Sequence, residues 1–120
     1  MTTLANIALV VVALLHVAFL VLEMFLWSKP IGQRVFGLPP DVMASSAPLA
    51  ANQGLYNGFL AAGLLWSLSL GAPGFSIKVF FLACVIVAGL FGAATAKRSI
   101  LWLQAIPGAV ALLLAILARA

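Results

Sequence analysis

The sequence predicts an all-α polytopic membrane protein, an antiparallel four-helix transmembrane bundle forming one domain over residues 1–120. Three observations predict it. The chain is 66% hydrophobic and 7% charged, and so few charges cannot cover the surface of a water-soluble domain. The apolar residues fall into four runs, roughly 4–27, 49–70, 76–96 and 100–118. About 20 helical residues cross the hydrocarbon core, and each run is about that long. Two of the three connections are short, GAPGF near 71–75 and the KRS turn at 97–99, and short connections make neighbouring helices antiparallel.

Helices are expected because a backbone in lipid must satisfy its own hydrogen bonds, and the ten-residue alternation of barrel strands is absent. The first run lacks a basic leading region and contains Glu23, so it reads as a retained span and not as a cleaved signal. The connection SKPIGQRVFGLPPDVMASSAP (28–48) holds four of the six prolines. It is expected to be irregular or a short interfacial element, with Phe36 and Met43 available as lid contacts. Ala50, Gly54, Gly58 and Ala62 recur every four residues on the second helix, as do Cys84, Ala88, Gly92 and Ala96 on the third. Such small-residue stripes let backbones approach closely. The second and third helices are expected to meet along them, and a homo-oligomer through one stripe is an alternative.

Lys29, Arg34, Lys97 and Arg98 lie in connections one and three, with Lys78 and Arg119 at the opposite ends. Four against two places connections one and three in the cytoplasm and both termini outside. These basic residues sit at span ends, where they anchor to membrane lipid, so no nucleic-acid partner is expected. Cys84 lacks an internal disulfide partner and reads as a packing residue. One His and one Glu seven apart do not make a metal set. No nucleotide fingerprint or nucleophile triad is present, so neither metal nor cofactor is expected.

The polar residues are not scattered. Glu23 lies near the cytoplasmic end of the first run, with His16 two turns deeper. Asn52, Gln53, Tyr56 and Asn57 fill the start of the second, Thr95 closes the third and Gln104 opens the fourth. His16 and Glu23 lie about 20° apart around a helix and about 10 Å apart along it. The Asn52–Asn57 group is expected on an arc facing away from the Gly54/Gly58 stripe, toward Glu23 and His16. Together these residues outline a polar cavity open to the cytoplasmic side, since ionisable groups inside a membrane usually face a bundle interior or water. Glu23 and His16 are the candidate catalytic pair. Asn52, Gln53, Tyr56, Asn57 and Gln104 are the candidate ligand-binding residues. Plainer readings stand beside these: Glu23 paired with Lys29, His16 on a backbone carbonyl, the amides as interhelical bonds worth about 0.6 kcal/mol each, and the tryptophans as aromatic belts.

HVAFLVLEMFLW (16–27) followed by NQGLYNGFLAAGL (52–64) resembles the domain of unknown function 1304 family of small bacterial membrane proteins, over essentially the whole chain. The resemblance implies four spans in the bacterial inner (cytoplasmic) membrane and carries no established activity. A likeness of architecture is to the emopamil-binding sterol isomerases, which use His, Glu and Asn in an intramembrane cavity. That family uses more than one acid, where this chain has a single intramembrane one.

Three functions follow as expectations: binding of, or proton transfer on, a small lipophilic molecule; proton-coupled export, as in small multidrug transporters; and a scaffold without catalysis.

Overall fold

The computed structural model describes residues 1–119, and every regular element among them is helical. The order is α1 (Thr2–Met24), α2 (Pro30–Phe36), α3 (Pro40–Ser69), a 3₁₀ turn (Ala72–Gly74), α4 (Phe75–Thr95), a π-helical turn (Leu101–Ala105) and α5 (Ile106–Ala118). Thr2–Met24, Ala72–Thr95 and Leu101–Ala118 are long and apolar enough to cross a membrane. The 30-residue α3 is not among them, because the amides at 52, 53 and 57 dilute its apolar stretch.

Two boundaries differ from expectation. The first run stops being helical at Met24 and not at 27, and Lys29, restricted by Pro30, is extended (φ −80°, ψ 163°). Proline then opens α2 where its missing N–H costs nothing. Gly37 closes α2 in the left-handed conformation (φ 67°, ψ 25°), its N–H donating to Gln33 O at 2.8 Å. The connection, expected to be irregular or a short interfacial element, holds the seven-residue α2, and α3 begins at Pro40, not 49. Pro48 lies inside α3. Just before it, the hydroxyls of Ser45 and Ser46 donate to Val42 O at 3.2 and 2.6 Å.

The chain packs as two compact units, Met1–Leu15 with Leu60–Ala120, and His16–Phe59. In the first unit α1, α3, α4 and α5 all contribute to one core of Leu9, Val12, Ala13, Leu64, Leu82, Val85 and Ala111. Gly63 of α3 packs on the Phe81 ring of α4. Gly89 faces the π-helical backbone so closely that a Cβ there would lie 2.6 Å from Ala105 N and 2.9 Å from its Cα. The π turn itself arises where Ile106 N–H reaches back to Leu101 O, just ahead of Pro107.

The expected meeting of the two small-residue stripes does not occur. On α4 the buried positions are Lys78, Leu82, Val85 and Gly89, while Ala88 and Ala96 are exposed. A strict four-residue step advances about 400°, so such a stripe drifts about 40° per step around the helix. A buried face must alternate steps of four and three.

Candidate functional site

The second unit holds the polar pair. Along α1 the buried positions Ala5, Leu9, Val12 and His16 form a stripe that Leu20 and Glu23 continue, all within about 80° of one another. The stripe thus exchanges aliphatic side chains for a histidine and then for an acid as it approaches the turn at 25–29. His16 is fully buried, with the Phe19 ring edge-on to it at 5.2 Å.

The matching face of α3 is Ala50, Gly54, Asn57 and Ala61, all buried, with Gly58 beside them half-buried. Its two glycines let α1 come close. A Cβ on Gly54 would stand 2.7 Å from Met24 Cγ, 3.1 Å from Glu23 Cβ and 3.2 Å from Leu20 O; one on Gly58 would stand 2.6 Å from Leu20 Cδ1. The Gly54/Gly58 stripe therefore receives α1, not α4, and the expectation that the amides face away from it fails for Asn57. That residue lies three after Gly54 and shares its face. The close approach sets Asn57 Nδ2 to donate to Glu23 Oε1 at 2.5 Å.

The other sequence candidates are not gathered on this pair. Asn52 and Tyr56 lie about 160° around α3 from Gly54 and are exposed; Tyr56 meets Phe59 edge-on at 5.9 Å. Gln53 is exposed about 40° from Asn57. Gln104 belongs to the other unit and is half-buried in the π turn. Two hollows of the structure are lined by neither Glu23 nor Asn57. Among the described residues no His, Cys, Asp and Glu cluster fits a metal ion.

Sequence reasoning missed two polar arrangements. The Trp27 indole N–H donates to Ser46 Oγ at 3.1 Å, and its ring tilts against Phe36 at 4.5 Å. This ties the turn after α1 to α2 and to the start of α3, where Met43 is fully buried. In the first unit Lys78 is 3% exposed and its ammonium donates to Asn6 Oδ1 at 3.4 Å. A hollow of about 210 Å³ beside it is lined by the start of α1 (Thr2, Asn6), the end of α3 (Leu68), the start of α4 (Lys78) and the end of α5 (Ala118, Arg119). The signal available in sequence was an Asn near the start of one apolar run and a Lys inside another.

These features define a small all-helical protein with three helices able to cross a membrane and an acid–amide bond between two of its helices. The chain belongs to the family described as protein of unknown function (DUF1304), which it matches over residues 10–116. It is similar to the uncharacterized protein YpaA of Lactococcus lactis subsp. lactis (strain IL1403), with 30% identity over 106 residues, 87% of this chain and 89% of that protein. No solved structure matches it.

Proposed function

We propose that this protein is a four-span protein of the bacterial cytoplasmic membrane, and that its Glu23–Asn57 pair is a polar site that binds, or exchanges a proton with, a small lipophilic molecule bearing a polar group. The observation that carries the reading is the partner Glu23 takes: a neutral amide. A lysine or arginine partner would favour the carboxylate. An amide suits both protonation states, since Nδ2 donates to a carboxyl oxygen in either and Oδ1 can accept the proton of the acid. An acid inside an apolar helix is itself a mark of function. His16 lies on the same stripe as a second titratable group, and Gln53 flanks Asn57 on the exposed side. The four-span antiparallel arrangement is supported by the hollow at Lys78, where two helix starts and two helix ends meet. The balance of Lys and Arg favours placing the Glu23 end in the cytoplasm.

A second reading is favoured by the exposure of Asn52, Gln53 and Tyr56: the Glu23–Asn57 bond is an interhelical clamp in a scaffold. The test separates the two. Wild type, Glu23→Gln and Asn57→Leu are extracted from membranes in mild detergent, and co-purifying small molecules are measured by native mass spectrometry beside thermal unfolding. The site reading expects a bound species in wild type that is lost in Glu23→Gln at near-unchanged stability, because Gln can still accept the Asn57 bond. Equal occupancy in wild type and Glu23→Gln, or none in either, refutes it.

A further inference from the structure

We propose, resting on the reading of Glu23 and Asn57 as a ligand site, that the molecule bound there is a lipophilic amine in its protonated form, with its ammonium on the pair and its hydrocarbon tail along α1.

Glu23 has no opposite charge. Its hydrogen bond is to the Asn57 amide, and among the described residues no Lys, Arg or His pairs with it. Lys29 and Arg34, in the same compact unit, are both exposed. A carboxylate withdrawn from water is stabilised by a cation or gives up its charge to a proton, and a neutral amide does not supply the cation. The atoms the pair leaves open are also of one kind. Asn57 Nδ2 donates to Glu23 Oε1, so Glu23 Oε2 and Asn57 Oδ1 accept no bond among the described residues. Neither atom is enclosed, although Asn57 as a whole is only 7% exposed. With Glu23 ionised, both are acceptors.

An ammonium brings N–H donors and the missing positive charge together, and low dielectric strengthens its attraction to the carboxylate. A ligand carboxylate would meet a like charge. A ketone or ester would set acceptors against acceptors, and an alcohol offers one donor and no charge. The surroundings suit an amphiphile. Phe19 and Leu20, one turn from Glu23 toward the middle of α1, are half-buried, and α1 ends at Met24. A charged head on Glu23 thus lies at the helix end, with the tail running along its apolar length.

The test uses the full chain in an uncharged detergent at neutral pH, with three probes of equal chain length: decylamine, decanol and decanoate. Binding is measured for wild type, Glu23→Gln and Asp41→Asn, the last removing the other acid of the chain. Decylamine is expected to bind wild type and Asp41→Asn alike, Glu23→Gln at least tenfold more weakly, and wild type at least tenfold more tightly than decanol or decanoate does. The chain has a net charge of +4, so unspecific attraction favours decanoate, and a preference for decylamine belongs to the site. Should Glu23→Gln fail to fold, the order of the three probes on wild type decides. Decanol or decanoate bound through Glu23 as tightly as decylamine overturns the amine and leaves the site standing. Decylamine bound equally by wild type and Glu23→Gln, or not bound at all, also overturns it; the co-purification measurement then judges the site by itself.

Discussion

Replacing each glycine of the α1–α3 contact by alanine gives a sharp difference from chemically identical changes. Gly→Ala in a helix interior gains about 0.8–1.0 kcal/mol of propensity, and inserting a methyl into a packed contact costs about 1–3 kcal/mol. The outcome turns on what the methyl meets. At Gly58 it meets Leu20 Cδ1 at 2.6 Å and otherwise Cγ at 3.9 Å, and the tip of a leucine can rotate away. At Gly54 it meets Met24 Cγ at 2.7 Å, but also Glu23 Cβ at 3.1 Å and Leu20 O at 3.2 Å, two atoms fixed to the α1 backbone. Relief there requires the helices to part by a few tenths of an ångström, which also lengthens the Glu23–Asn57 bond. Gly58→Ala is expected to be neutral or stabilising by up to about 1 kcal/mol, and Gly54→Ala to be destabilising by up to about 2 kcal/mol net. Denaturant unfolding in a fixed detergent, followed by circular dichroism, measures both. Gly58→Ala proving as destabilising as Gly54→Ala would refute the reasoning, because it would mean that the close approach is not where the structure puts it.

Gly89→Ala should be the costlier glycine change, above about 2 kcal/mol, because its methyl would meet Ala105 backbone atoms; the same unfolding assay reads it. Asn57→Leu removes the donor to Glu23 and should cost about 0.6–1.7 kcal/mol, the range of interhelical bonds in membranes, whereas Glu23→Gln should cost less than half of that. Trp27→Phe keeps the ring on Phe36 but loses the indole bond to Ser46; a loss of about 0.5–1.5 kcal/mol and faster proteolysis in residues 25–40 are expected, with Ser46→Ala giving a similar but smaller effect.

The apolar runs made three membrane-length helices legible, because hydrophobic length is a property of a segment by itself. Boundaries were less legible. A proline-rich connection reads as irregular, yet Pro30 and Pro40 sit at the first positions of helices, where proline is at home, and Pro48 is absorbed. In the site, Glu23 and His16 were legible as one face because they lie on one helix and seven residues apart. The pairing of helices was not, since both glycine stripes qualify for a close contact and sequence does not say which neighbour fills each. Placing α4 against Gly54 and Gly58 turned the whole amide group toward α1. The contact of those glycines with α1 instead turns Asn57 in and leaves Asn52 and Tyr56 exposed. A count of angles along α3 separates these amides, because Asn57 lies about 60° from Gly54 and Asn52 about 160°. Lys78 escaped notice for a related reason: a basic residue near a span end reads as a headgroup anchor, and its burial depends on helices distant in sequence.

Infrared spectroscopy of the carboxyl groups tests the central claim most directly. The chain has two acidic side chains, Glu23 and Asp41, so a protonated-carboxyl band removed by Glu23→Gln belongs to Glu23. The account predicts such a band, disappearing and returning as pH is cycled in detergent, and shifting in frequency in Asn57→Leu as the amide bond is lost. A Glu23 that shows no exchangeable proton at any pH at which the protein stays folded, or a band indifferent to Asn57→Leu, would contradict it.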